Sequence, residues 1–494
     1  MPNLLPKLPE VIVSDATTTE MVSRRVKAGK LRKLASKLYT NNLTDAPEAI
    51  VKRNLWPIIN LLAPGALIAD RTALEFKPAA DGSVFIVSDR KRSITLPGIT
   101  IHPRKGHAAL PDDKPFMGGL YLSSQARAYL ENMRTSRPRA GSTSRTVSRE
   151  IIEEKLETIL RRSGEKALQQ LRDAACNIAA TLQLQKEFKQ LDNLIGALLG
   201  TRYAKITSKT GIARQMGLPY DPDRLQLLQI LYQALQDTPP ITRQAPAATE
   251  TLAFYEAYFS NFIEGTEFAV TEAEEIIFEG KIPNDRPKDA HDILGTYHIV
   301  ANANEMKKRP KHYNDLLQLL KNRHAAIMEM RPEKLPGQFK TESNRAGSTL
   351  FVAPELVEGT FKKSFELYQS LDAPFQRAVF MMFLVAEVHP FADGNGRIAR
   401  IMMNAELVAE NEQRIIIPTV YRNNYLAALR ALSHNHEPQP LIRTLDFAQR
   451  YTWKVDWSNK EISQHILEKT NAFLNPNEAD ANGLRLNMPN NFTI

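Results

Sequence analysis

One cysteine, Cys176, stands in 494 residues. A single thiol excludes an intramolecular disulfide framework and a structural zinc site built on several thiolates. A cytosolic, reducing compartment is the expectation that follows. Long apolar runs are missing too. No stretch approaches the roughly 20 residues that cross a bilayer, so the expectation is a cytoplasmic chain with no membrane partner. The segment up to Val13 is interrupted by Pro2, Pro6 and Pro9 and has no apolar run behind a basic start; it does not read as a signal peptide. There is no G-x-x-x-x-G-K-[ST] anywhere, which excludes a P-loop, and no internal repeat. What is present is an ordinary apolar content of 43% and a net charge of +9. That composition suits a globular chain of about two to four domains.

The charge is unevenly placed. Residues 1–110 hold 17 Lys plus Arg against 9 Asp plus Glu, most of the excess of the whole chain. A basic module suits duplex DNA or another acidic partner; a solvated basic surface is the equal alternative. Residues 18–28 read as a helix, Leu31–Tyr39 as a wing strand after it, and 83–87, 94–96 and 99–101 as strands around the Pro97–Gly98 turn. The expectation for 1–110 is a mixed α/β domain. Residues 111–147 read as linker-rich, because 134–147 is dominated by Arg, Ser, Thr and Gly. From Ser148, a good N-cap, apolar residues recur at helical spacing, giving a helical connecting domain over 148–245. Pro239–Pro240 forms a second joint. A helical domain over 250–450 and a tail over 451–494 complete the division. Cys176 reads as a small core residue of an apolar helix. His291 and His298 read as structural or exposed. His434 and His436, with no third histidine to complete a metal site, read as loop residues.

The informative segment is HPFADGNGRIAR, His389 to Arg400. Residues 375–388 before it are apolar nearly all round, the mark of a buried helix. The loop Ala392–Gly396 then leads into a second helix near Arg397, where unpaired backbone N–H groups and the helix dipole favour an anion. Gly394 and Gly396 permit close backbone approach. Asn395 adds a neutral donor. Arg397 and Arg400 share a helix face and carry forked donors suited to phosphate. Asp393 is a hard oxygen ligand for Mg²⁺ shared with phosphates. His389 can accept a proton near neutral pH. Base, metal carboxylate, anion cradle and phosphate clamps are what phosphoryl or nucleotidyl transfer needs. The same stretch fits a loose G-x-G-x-x-[GA] dinucleotide fingerprint, but a helix precedes it where that motif requires a strand.

HPFADGNGRIAR matches the Fic family signature H-x-F-x-[DE]-G-N-G-R-x-x-R at every fixed position, and the chain resembles Fic (fido) adenylyltransferases over 250–450. The resemblance implies a mainly α fold, with an all-helical core carrying a small β-hairpin flap. It implies His389 as general base, Asp393 on Mg²⁺ (or Mn²⁺), and Gly394, Asn395 and Gly396 as the anion hole. Arg397 and Arg400 would bind the β- and γ-phosphates of ATP. AMP would pass to a Ser, Thr or Tyr hydroxyl of a protein partner, or of the chain itself, with release of pyrophosphate. SNFIEG, Ser260 to Gly265, resembles the family's inhibitory pattern [ST]-x-x-x-E-[GN]. That likeness implies a helix presenting Glu264 to Arg400 in place of the γ-phosphate. Relatives of this kind can also remove AMP, with Glu264 orienting water. LPGQFKTESNRAGSTLFVAP, residues 335–354, resembles the flap, with Ser348, Thr349 and Leu350 as contacts. Tyr425 resembles a residue closing over the adenine. At the other end, EMVSRRVKAGKLRKLASKLYTNNL resembles the winged-helix start of abortive-infection type IV antitoxins. That likeness sets a DNA-binding regulator with a secondary Fic domain as the alternative. A homodimer is left open.

Overall fold

The computed structural model describes residues 9–137, 143–246 and 249–489. Part of the Arg/Ser/Gly-rich stretch 134–147 lies outside these residues. The chain forms two compact units, residues 1–215 and 216–494, so the helical stretch 148–245 is divided between them.

The first unit is mixed α/β. The helix Thr19–Lys27 and the strands Arg32–Ala35 and Leu38–Thr40 lie where the sequence places a helix and a wing. With Val11–Val13 the two strands form a three-stranded antiparallel sheet, Leu38–Thr40 in the middle. A six-stranded sheet follows in the order 94–96, 99–104, 83–87, 67–68, 120–122, 114–116. Ser83–Val87 is buried along its whole length. It pairs parallel with Ile99–Arg104 and antiparallel with Leu67–Ile68, and such two-sided burial selects the unbroken apolar run VFIV. The stretch expected as linker therefore contains two strands, Lys114–Phe116 and Leu120–Leu122, and the helix Gln125–Met133. The long helix Arg149–Ala179 opens on the Ser148 side chain, which accepts from the Ile151 N–H. Cys176, read as a core residue, is exposed on that helix.

The second unit is almost wholly helical. At its centre is Pro374–Val388 (PFQRAVFMMFLVAEV). Phe375, Phe380, Met381, Phe383 and Leu384 are all buried, each worth about 2–3 kcal/mol of burial. Against this helix pack Pro222–Gln236, Val357–Tyr368 and Asn395–Val408. Among the described residues of this unit the β pairings are the two-stranded hairpin Arg345–Ala346 with Thr349–Leu350 and one isolated antiparallel bridge, Gln244 with Glu412. The region 451–489 is no loose tail. Its helices Lys460–Lys469 and Pro476–Ala481 and the turn between them put Leu467, Ala479 and Ala472 into the same core. No helix of the described residues is long and apolar enough to cross a membrane.

Candidate active site

The central helix ends at His389, which takes a left-handed backbone (φ +53°) as its C-cap. A non-glycine residue held there is strained, and such strain concentrates at functional positions. The turn swings the imidazole out of the helix. Its Nδ1 lies 3.2 Å from the Ala386 carbonyl oxygen, a partner that only an N–H can serve. Nδ1 therefore carries the proton and Nε2 keeps the lone pair. Phe351 stacks on the ring at 3.7 Å between centroids. Burial pushes the imidazole down to about 4, so it is neutral at neutral pH.

The loop after His389 is tied to itself. Asn395 is buried, and its carboxamide both accepts from the Phe391 N–H (2.8 Å) and donates to the Phe391 carbonyl (2.9 Å). The side chain expected as a free donor therefore clamps the turn. Asp393 accepts from the Gly394 N–H at 2.6 Å, and Gly394 caps the next helix at φ +72°, Met328 Sδ lying 3.1 Å from where a Cβ would stand. Sequence reasoning missed His324. It is stacked on Phe391 at 3.7 Å, accepts from the Gly337 N–H at 3.0 Å, and lies with Nε2 3.1 Å from the Asp393 carbonyl oxygen. Burial holds it neutral, at about 4.

Arg397 and Arg400 leave the helix Asn395–Val408 toward this loop, 3% and 5% exposed. Arg397 pairs with Asp292 at 2.7 Å and reaches Asn261 Oδ1 at 3.3 Å. Its Nε, though buried, has no hydrogen-bond partner. Asp292 is also gripped by Arg331, whose Nε donates to both carboxylate oxygens. Nothing in the sequence signalled Asp292; it is one of two acids, with Asp289, inside the helix Pro287–Ala301. Arg400 donates from Nε to Ser260 Oγ (3.0 Å) and from Nη2 to the Ser260 carbonyl (2.7 Å) and to Glu264 Oε1 (2.7 Å). Ser260 and Glu264 sit in the last turn and at the C-cap of Glu250–Ile263, with Gly265 next. Glu264 Oε1 lies 2.1 Å from where a Cβ of residue 396 would stand, so a side chain at 396 would push that carboxylate aside. The expected pairing of Glu264 with Arg400 is present, and the carboxylate lies over the loop.

The remaining expectations diverge. Thr349 and Leu350 form the second strand of the hairpin, and Ser348 lies in its turn. Thr349 Oγ1 meets His434 Nε2 at 2.8 Å, which gives that histidine a partner the sequence did not suggest. Tyr425 is 1% exposed, its hydroxyl donating to Met382 Sδ at 3.3 Å. It packs beside Arg400 instead of over an open adenine pocket. Asp393, 42% exposed, keeps its second oxygen 3.8 Å from Lys334 Nζ. Among the described residues no group of three or more His, Cys, Asp or Glu could hold a metal.

Residues 315–407 match the Fic/DOC family model. The chain is 24% identical over 242 residues to protein adenylyltransferase fic-1 of Caenorhabditis elegans, covering 47% of this chain and 46% of that protein. It is likewise 24% identical over 254 residues to protein adenylyltransferase Fic of Drosophila melanogaster, covering 50% and 51%. The chain thus spans about half the length of the curated relatives it matches. Among solved structures it is similar to a Fic-1 fragment from C. elegans (TM-score 0.35, 17% identity, 65% of this chain and 98% of that one). A Fic domain containing signaling protein from Bacteroides thetaiotaomicron is similar at TM-score 0.34 and 20% identity, covering 48% and 99%. The stretch 315–407 holds both the hairpin and the loop from His389 to Arg400, and through it the chain carries a Fic domain of the Fic/DOC family.

Proposed function

We propose that the chain is an autoinhibited nucleotidyl transferase that moves AMP from ATP to a Ser, Thr or Tyr hydroxyl of a protein. The observation that carries this reading is convergence. A neutral imidazole, a helix N-terminus with two glycines, and two buried guanidinium groups meet at one loop, and a carboxylate from another helix lies on it. The names of the curated relatives support the chemistry.

In this reading the lone pair on His389 Nε2 takes the proton of the target hydroxyl. The hydroxyl oxygen forms a bond to the α-phosphorus as the bond to the bridging oxygen breaks, and pyrophosphate leaves. The negative charge of a bound triphosphate raises the imidazole from its low value toward the range of an effective base. The backbone N–H groups of Asn395 and Gly396 hold phosphate oxygens, Arg400 binds an outer phosphate once Glu264 yields, and Arg397, held by Asp292, reaches the phosphates from its side of the helix. Asp393 fits a Mg²⁺ (or Mn²⁺) ion that takes most of its ligands from phosphate and water: it is a single, half-exposed carboxylate with one oxygen on Gly394. Such an ion supplies charge neutralisation at the phosphates.

The test is incorporation of α-labelled ATP, read by mass as an added AMP. Glu264→Gly is expected to raise incorporation at least about tenfold, the scale of removing a charge-assisted competitor. A folded protein that takes up no AMP in either form refutes the reading. Release of AMP from a pre-labelled protein, lost in Glu264→Gly, would instead mark a hydrolase in which Glu264 orients water.

A second reading concerns residues 1–110. Arg24, Lys27, Lys30, Lys33 and Lys37 are all exposed on the helix Thr19–Lys27 and the turns and strands that follow it. That basic face supports a duplex-DNA contact. Binding by the full chain that falls steeply between about 50 and 200 mM salt is expected; no affinity at low salt removes this reading.

A further inference from the structure

The hairpin 345–350 has two residues per strand, and both residues of its first strand are exposed. A two-stranded ribbon of that size does not hold its own position in water. Its place is set by ties from outside: Thr349 meets His434, and a second tie originates in a helix that precedes the one carrying Glu264.

Arg224 lies in the first turn of Pro222–Gln236. One arm of its guanidinium makes an ion pair with Glu387 at 2.5 Å. The other donates to the Leu350 carbonyl, on the second strand of the hairpin. Glu387 stands two residues before His389 in the central helix, and its other oxygen accepts from Ser433 at 2.6 Å. The base of Arg224 is fixed. Its helix starts with Asp221 as N-cap, whose N–H donates to Thr360 Oγ1 at 2.9 Å. Gly359 packs so closely on the preceding turn that a Cβ there would lie 2.1 Å from the Pro219 carbonyl oxygen. One planar cation thus joins the hairpin to the end of the helix that presents the general base.

Resting on the transferase reading above, we propose that Arg224 is a positioning residue. It holds the hairpin at a fixed height over His389, so that a protein hydroxyl docked on the hairpin arrives within reach of Nε2. Arg224 touches neither nucleotide nor target. Its loss acts on transfer to protein and leaves ATP binding intact. A planar fork serves carboxylate and carbonyl together; an ammonium serves them less well.

The test uses the full chain in the Glu264→Gly background, with self-labelling from α-labelled ATP and Mg²⁺ as the reaction. Arg224→Ala is expected to lower the labelling rate about tenfold or more while the apparent KM for ATP stays within about twofold. Arg224→Lys should restore part of the rate. Amide exchange at 345–351, measured without ATP, should speed up in Arg224→Ala, with exchange in 375–388 unchanged. Unchanged exchange at 345–351, an ATP KM that rises as the rate falls, or faster labelling in Arg224→Ala each overturns the proposal. If the Glu264→Gly parent takes up no label, the transferase reading fails by itself. The exchange experiment then still decides whether Arg224 holds the hairpin.

Discussion

Two histidines, His389 and His324, sit at this site, both buried enough to be neutral. His324 is wholly buried and neutral, with one ring nitrogen accepting from Gly337 and the other directed at the Asp393 carbonyl. Its value falls from 6.5 to about 4 because burial disfavours the cation. The unfolded chain takes up a proton as pH drops below about 6.5, whereas the folded chain resists until about 4. Stability is therefore fully present above that window and is lost as pH falls through it, by up to about 3 kcal/mol for this group. Denaturant midpoints between pH 7 and 4.5 should fall more steeply for the parent than for His324→Gln; equal slopes would refute the assignment. At Arg397 the acid partner is the sensitive point. Asp292→Ala leaves two guanidinium groups short of a carboxylate, one of them deeply buried, and should cost about 3 kcal/mol in an unfolding experiment. His389 and Arg400 were legible because one long motif holds both, and Glu264 because a separate short pattern, SNFIEG, lies upstream of it. His324, Asp292 and Arg224 were not, since each is a common residue inside an ordinary helix and meets the site only through tertiary packing.

At the scale of elements, the helix Glu250–Ile263 is held by more than the contacts of Ser260 and Glu264 at its end. Glu256, two turns before Glu264, pairs with buried Arg414 at 2.6 Å and accepts from Asn404 at 2.8 Å. Asn404 lies one turn beyond Arg400 on the helix that carries both arginines. Removing one member of a buried pair costs about 3–5 kcal/mol. Glu256→Gln should loosen the seating of this helix and raise AMP incorporation with Glu264 intact. A folded Glu256→Gln protein that labels no faster than the parent would show that the pair does not govern seating. The long helices could be read from their periodicity: FQRAVFMMFLVAEV is buried on every side because helices surround it. The short strands could not. Lys114–Phe116 and Leu120–Leu122 hold three residues each around the turn Met117–Gly119, too few for alternation to register, and so the segment resembled a linker.

Over the whole molecule, the two units divide the chain between 215 and 216, and the basic excess lies in the first of them, the Fic stretch in the second. If the two act separately, substitutions at Lys27, Lys30 and Lys33 should change any DNA affinity without changing AMP incorporation, a comparison made on the full chain in both assays. Glu264 has a consequence at this scale. Its oxygen occupies the space over Gly396 where a Cβ would stand, and it holds the Arg400 guanidinium. On the proposed reading, carboxylate and nucleotide would depend on the same atoms, and a change in the loop that repels one would repel the other. The carboxylate behaves as a tethered competitor whose effective concentration is set by how firmly its helix is docked. On the proposed transferase reading, the nucleotide level that displaces Glu264 would therefore be tuned from outside the loop, by residues such as Glu256.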